Sequence, residues 1–545
     1  MTVRFDSELA LLVDVGSAWT KANAVARARG RWRLVAHVAQ PTAWGEEELR
    51  RAMVAQLART ADPRLVDRLD DLVASANRIE SHTPRRPARI AVVAVSRELS
   101  GSSARRAAEA AGWEVVEAVT LDDGRSLADR LATLQAADVD AWLLAGGFDS
   151  GRSQRALETA ALVAAARREG AGPVIWAGSS RLAEDVTAMF EPDATVVVDS
   201  PRPDARREAL PVLTERLLAI LRATPIGEEE TQLATAALPR AVAALAAAGG
   251  IRILAVDVGA RGALRAIAGP DGDVTGRVRA GGGLAGLGTM GGVAARVSRL
   301  AGDAGDEATV ADLLQTLRAH PATVPQLPEE LSGTHAAAIV ALGAMLDEGP
   351  PSGLDLVIGC GRTIAAAPTP AQAARMLLDG VRPIGVTQLA IDAAGVLLPL
   401  GSLPDAEIRE GMALLADDLL APLGTAVVSR GGDLGRLAMR VTVHRPGWPA
   451  TQPVEVRGGQ LHVLPLARGQ EAELHIELGD GVTLGDARRS PRISALATGG
   501  SVGLVLDARG VPIVLPRRGD DRRAMLASWR EALTREAPAG VERIA

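Results

Sequence analysis

The stretch Asp14-Val15-Gly16-Ser17-Ala18-Trp19-Thr20-Lys21 decides how this chain is read. It follows the apolar run Leu11–Val13, so its carboxylate stands at the end of a buried strand. Gly16 allows a tight hairpin turn whose backbone N–H groups face a ligand. Ser17 and Thr20 add hydroxyl donors, and Lys21 adds a positive charge suited to phosphate oxygens. Asp14 suits Mg2+ held through water, because that ion dehydrates reluctantly. The competing reading of the octet is an ordinary hairpin with a surface lysine.

The same logic recurs at Asp257-Val258-Gly259, after a strand over 253–256 and before strands near 262–268 and 273–279. Two such turns facing each other can clamp a triphosphate and its Mg2+ from opposite sides. Asp257 would then orient water for attack on the γ-phosphoryl group. Asp14 and Asp257 are therefore the candidate catalytic and metal-binding residues. Gly16, Ser17, Thr20, Lys21 and Gly259 are candidates for binding the nucleotide.

Three further segments each carry two readings. The Gly-rich run at 280–292 either wraps a phosphate with its amides or packs a strand closely against a helix. Gly359-Cys360-Gly361-Arg362-Thr363 is either a loop under an adenosine ring, with Gly359, Gly361 and Arg362 in contact, or a plain strand-to-helix turn. Asp149 in AGGFDSG lies where ligands bind open α/β sheets, but helix capping is the favoured reading there. Cys360 has no assignable base and is not read as a nucleophile.

Length and composition bound the rest. At 545 residues the chain predicts three or four domains, and 47% hydrophobic residues supply ample core. A net charge of -6, no Tyr and three Phe argue against a nucleic-acid partner. One cysteine excludes an intrachain disulfide and a multi-cysteine metal site, and fits a cytoplasmic protein. No apolar run is long enough to span a membrane, and the N-terminal run reads as a core strand, not a signal peptide.

Along the chain, residues 8–38 read as strand, turn, strand, strand, followed by helices at 46–60 and 63–78. From 88 to 200 strands and helices alternate, which predicts a parallel sheet with helices on both faces. Helices follow at 204–222 and 228–248. After the second DVG unit come helices at 306–319 and 334–347, a strand at 354–358, and helices at 370–379 and 405–420. The last two flank a strand pair at 386–392 and 395–399. Beyond 422, short alternating segments predict a β-rich domain closed by a helix over 519–535. The expected domains are 1–87 and 201–421 as two parts of one core, 88–200 as an insertion, and 422–545.

The opening DVGSAWTKANAV resembles the phosphate-binding start of the actin, sugar-kinase and heat-shock chaperone ATPase superfamily. More narrowly, the chain resembles the MutL-like accessory family of adenosylcobalamin-dependent glutamate mutase (GlmL). The matching stretches are DVGSAWTKA (14–22), WLLAGGFDSG (142–151), VIWAGSSRLAEDV (174–186), VDVG (256–259) and the long run 357–403. The resemblance implies an α/β fold: an actin-like (ribonuclease H-like) duplicated ATPase core with an inserted parallel α/β subdomain and a C-terminal β-rich domain. It also implies ATP and Mg2+ as cofactors, and a role in assembling or reactivating a cobalamin-dependent mutase. The chain is not itself read as the mutase, because it has no D-x-H-x-x-G motif. Self-association into a homo-oligomer is left open.

One departure matters. The family's second turn resembles DIGGATTD, whereas this chain reads Asp257-Val258-Gly259-Ala260-Arg261-Gly262-Ala263-Leu264. Both hydroxyls and the later acid are missing, and Arg261 is positioned to meet a phosphate instead. Weak ATP hydrolysis, or none, is therefore expected. The alternatives are a catalytically degenerate scaffold and, last, a small-molecule kinase, for which no substrate base can be assigned.

Overall fold

The computed structural model describes residues 9–28, 31–83, 87–148, 153–168, 170–224, 233–280, 282–288, 292–303, 305–346, 349, 351–414, 418–485 and 492–534. Asp149 lies outside the described residues. The fold is mixed α/β.

The first sheet holds β1 (Leu9–Val15), β2 (Trp19–Ala28), β3 (Arg31–Pro41) and β4 (Asn77–His82), in the order β3-β2-β1-β4. The first three strands form an antiparallel meander, and β4 runs parallel to β1. Successive side chains of a strand point to opposite faces. Leu9, Leu11 and Val13 therefore pack with Met53 and Leu69 in one cluster, while Leu12 joins a cluster on the other face. Asp14 shares the face of Leu12.

A second sheet is wholly parallel. Its strands β5 (Arg89–Ala94), β6 (Glu114–Thr120), β7 (Ala141–Gly146), β8 (Val174–Gly178) and β9 (Thr195–Val197) stand in the order β6-β5-β7-β8-β9. Both faces are covered by helices, so its central strands are buried runs without alternation.

The third sheet begins with β10 (Ile253–Val258), β11 (Gly262–Ala268), β12 (Val274–Ala280), β13 (Leu356–Cys360) and β14 (Gly385–Ile391). It repeats the order and directions of the first sheet: an antiparallel meander, with β13 parallel to β10. Here Ile253 and Ala255 join the same cluster as Leu12, while Leu254, Val256 and Val258 point into another. Asp257 thus shares the face of Ile253 and Ala255. Period-2 alternation in two separate strands turns both acids toward one shared layer. That layer is filled by the Ala-rich helix Ala234–Gly249 and the short helix Leu397–Gly401.

The C-terminal strands are β15 (Ala421–Val428), β16 (Arg430–Gly431), β17 (Leu437–His444), β18 (Val454–Arg457), β19 (Leu461–Leu464), β20 (Glu471–Leu478), β21 (Val482–Thr483), β22 (Arg492–Thr498) and β23 (Gly503–Asp507). Three of them extend the third sheet to eight strands, β12-β11-β10-β13-β14-β15-β23-β19. Another four form the sheet β18-β17-β20-β22, and β16 pairs with β21. The helix Gly519–Thr534 docks on this unit: Trp529 Nε1 donates to the Gly459 carbonyl at 2.9 Å. The fully buried Arg509 guanidinium lies 4.9 Å from the centre of the Trp529 ring. It pairs with Asp507 at 2.7 Å and with Asp379 at 2.6 Å.

Several local expectations change. Residues 63–78 are a 3-10 turn, a helix over Leu69–Ser75 and then β4. Pairing with β1 holds Asn77–His82 extended despite its polar composition. Residues 397–401 are helical, not a strand, because Asp392 folds 395–397 into a tight turn that leads into a helix. The strands β15, β16, β21 and β22 are additional. No helix among the described residues is long and apolar enough to cross a membrane.

Candidate functional site

The two hairpin turns close in the same way. The Gly16 amide donates to the Trp19 carbonyl at 3.0 Å, and the Gly259 amide donates to the Gly262 carbonyl at 3.0 Å. A Cβ on Gly16 would meet that carbonyl oxygen at 2.6 Å, so the turn requires glycine there. Both turns face one cavity of about 310 Å³, a size typical of ligand pockets (roughly 300–1,000 Å³).

Of the residues expected at the site, Asp14, Gly16, Ser17, Lys21, Asp257, Gly259, Arg261, Gly361 and Arg362 line this cavity. Thr20 and Gly359 do not. Thr20 points to the opposite face of β2, where its hydroxyl donates to Thr42 Oγ1 at 3.0 Å, and Thr42 in turn donates to the Gly16 carbonyl at 2.8 Å. It braces the turn from behind. Gly359 lies inside β13, where a Cβ would meet Ile364 at 2.7 Å and Leu377 at 3.0 Å, so its role is close packing.

Register explains the charges. Asp14 pairs across the strands with Lys21, and Lys21 Nζ donates to Asp14 Oδ2 at 3.0 Å. On its other side Asp14 is the parallel partner of Ser81, whose hydroxyl lies 3.4 Å from Oδ1. In the third sheet the corresponding partners of Asp257 are Leu264 and Cys360. Burial alone would lower the Lys21 pKa, but the carboxylates of Asp14, Asp257 and Asp392 outweigh it and raise that pKa above the usual lysine value. Asp257 is pushed up to about 6, first by burial and then by Asp14 and Asp392, against the pull of Lys21. Burial likewise pushes the Cys360 thiol well up, helped by Asp392 and Asp257.

Three contributors were not found from sequence. Asp392 follows β14 and accepts the amides of Gly395 and Val396 at 2.9 Å and Leu397 at 3.1 Å, which fixes the turn leading into the helix Leu397–Gly401. Burial raises its pKa despite these bonds. His335, on the helix Pro328–Ala344, lines the cavity and is kept neutral, its pKa lowered to about 4 by burial and by Arg375. Arg279, on β12, also lines it and donates to the Ala344 carbonyl at 2.9 Å. Nothing local in sequence marks either residue.

The two halves touch around these groups. Asn23 Nδ2 donates to the Ala394 carbonyl at 2.9 Å, and a Cβ on Gly395 would meet the Lys21 side chain at 2.7 Å. The Arg362 guanidinium lies 3.7 Å from the centre of the Trp19 ring, bridging the third sheet to the first. Gly361, at φ +82°, brings its loop so close that a Cβ would meet Asp257 Oδ1 at 2.8 Å. The described part of the Gly-rich run sits behind the second turn. Its amides at Gly283, Leu284 and Ala285 donate to the carbonyls of Arg261, Gly259 and Ala260 at 2.8–3.3 Å. Those amides are spent on packing. Residues 281 and 289–291 of the run lie outside the described residues.

Among solved structures, the chain is similar to acetone carboxylase in its nucleotide-free form, at 10% identity over 82% of this chain and 81% of that one, with a TM-score of 0.28. It is similar to the ATP-dependent caprolactamase from Pseudomonas jessenii at 14% identity over 82% and 81%, TM-score 0.23. It is also similar to a carbohydrate kinase from Novosphingobium aromaticivorans at 14% identity over 76% and 99%, TM-score 0.21. Overlaps this loose carry no argument about the chain. No curated protein matches it. The family model described as MutL protein matches residues 10–211, from β1 through the parallel sheet, and over that stretch the resemblance to the MutL family read from the sequence is shown.

Proposed function

We propose that the chain is a nucleotide-binding accessory protein that takes ATP between its first and third sheets and serves an adenosylcobalamin-dependent mutase. The observation that carries the nucleotide reading is the pair of turns: two hairpins with the same closing hydrogen bond, each after an acid, facing one cavity. The shared strand order of the two sheets supports an actin-like (ribonuclease H-like) duplicated core, with 1–87 and 201–421 as its parts, 88–200 inserted, and 422–545 as a β-rich C-terminal unit. The choice of a mutase as partner rests on the family resemblance, and that of the cytoplasm on the single cysteine.

In this reading the turn amides and Lys21 hold the phosphates. The base lies at the apolar end formed by Leu317, Val324 and Leu331. Asp14 and Asp257 both face the cavity, and two carboxylates suffice for Mg2+, which keeps most of its waters. Among the described residues no three His, Cys, Asp or Glu groups converge on a metal. When bound, the ion would neutralise charge on the transferred phosphoryl group. Asp257, with a pKa near 6, is mostly ionised at neutral pH and can orient a water.

A second reading, a scaffold that holds nucleotide without turning it over, is favoured by one observation. The cross-strand partner of Asp257 is Leu264, so the second turn has no polar group in the place that Lys21 fills in the first. Mg·ATP titration by calorimetry, followed by phosphate release on the same sample, separates the two. Binding with turnover supports the ATPase; binding without turnover supports the scaffold. No binding at millimolar ATP sinks both. The partner is tested by adding the protein, ATP and fresh adenosylcobalamin to a mutase blocked by an inactive cobalamin. Absence of any recovered activity argues against that client.

A further inference from the structure

Several buried and half-buried arginines among the described residues are neutralised by carboxylates. Arg509 has two carboxylates, Arg375 has Asp379, Arg130 has Asp123, and Arg167 has Glu191. The cavity breaks this pattern. Its lining holds four cations, Lys21, Arg261, Arg279 and Arg362, against two carboxylates, Asp14 and Asp257. The one ion pair among them is Lys21 with Asp14. Among the described residues, none of the three arginines pairs with a carboxylate. Arg362 is stacked on Trp19. Arg279 is held by the Ala344 carbonyl, which uses one edge of a five-donor guanidinium and fixes its direction. Arg261 is exposed at the tip of the second turn, whose carbonyls are anchored from behind by the amides of 283–285. A concave site with surplus, positioned guanidinium charge selects a polyanion.

We infer that Arg261 and Arg279 form a clamp for the polyphosphate of the bound nucleotide, so that the protein binds the nucleotide without needing a divalent cation. This rests on the nucleotide reading above and goes beyond it. The charge on the phosphates is met by side chains, and Mg2+ matters for turnover but not for holding. Arg279 is the added binding residue. The clamp takes the place of the two hydroxyls that the second turn lacks.

The test compares ATP in excess EDTA with Mg·ATP, both by calorimetry on the full chain. The inference expects the two affinities to lie within about threefold of each other. It also expects Arg261→Gln to weaken both by about tenfold or more, in line with loss of a charge-assisted hydrogen bond. Arg261 is exposed, so this variant keeps the fold. Arg279→Met should have a similar effect, with its melting temperature measured alongside to separate unfolding from lost binding. If Mg·ATP binds but ATP in EDTA binds more than about thirtyfold more weakly, the inference is overturned, since that gap of roughly 2 kcal/mol assigns the charge to the metal. Unchanged affinity in both arginine variants overturns it equally. Failure of either form of ATP to bind the wild-type protein would instead remove the nucleotide reading, and the inference with it.

Discussion

Replacing Asp257 with Asn should make the protein more stable, with the gain setting in above about pH 4 and complete somewhat above pH 6. The Asp257 pKa stands at about 6 in the folded protein against an ordinary 3.8. A rise of roughly two in pKa corresponds to about 3 kcal/mol. The sign follows from proton binding. Between the two pKa values the folded chain keeps a proton that the unfolded chain has released, so stability falls as pH rises. Below pH 3.8 both states are protonated and there is no penalty; above 6 the full penalty applies. An amide never ionises, so the gain of Asp257→Asn over wild type should be near zero at about pH 3, reach about half its full size near pH 5, and approach about 3 kcal/mol by about pH 7.5. Urea unfolding followed by tryptophan fluorescence at a series of pH values reads this directly from the shift in midpoint. An offset between the two proteins that stays constant from about pH 4.5 to 8 would refute the reasoning. So would a variant less stable than wild type at neutral pH and above.

Lys21→Met should lower ATP affinity by about tenfold and cost about 3 kcal/mol of stability, because it strands Asp14 without its ion pair in a nearly buried site; calorimetry and melting temperature check the two halves. Gly361→Ala should destabilise by roughly 1–3 kcal/mol and weaken nucleotide binding, since alanine is strained at φ +82° and its methyl collides with Val258 and Asp257; wild-type affinity in this variant would contradict the close approach. Cys360, buried and with its thiol pKa pushed up, should react with an aromatic disulfide reagent only after unfolding; rapid labelling of the native protein would be the contrary result.

The chemistry-bearing strand ends were legible because their signal is local. Leu11–Val13 and 253–256 are apolar runs that stop at an acid and a glycine, and the strand–helix alternation from 88 to 200 repeats often enough to define a parallel sheet. What could not be read depended on pairing across distance. β4 looks polar and helix-like until β1 lies beside it. The residues 397–401 look like strand until Asp392 is seen to fold the turn before them. The facing of each side chain was also hidden. Ser17, Thr20 and Lys21 are equally polar in sequence, but the register of β2 sends Lys21 into the cavity and Thr20 away from it. His335 and Arg279 come from a helix and a strand with no local motif. Only the closure of the fold brings them to the same space.

The eight-stranded sheet also sets what can be cut from this protein. β14 delivers Asp392 toward Lys21, and its neighbours are β13, which carries Cys360 to Asp257, and β15, the first C-terminal strand. A truncation at residue 420 would turn β14 into a raw edge and strip Asp379 of its Arg509 partner at the same stroke. The tail is thus a lever welded to the strand that ends at the site. A protein that gripped the β-rich unit would hold a surface joined to the carboxylates around Lys21 by an unbroken ladder of backbone hydrogen bonds.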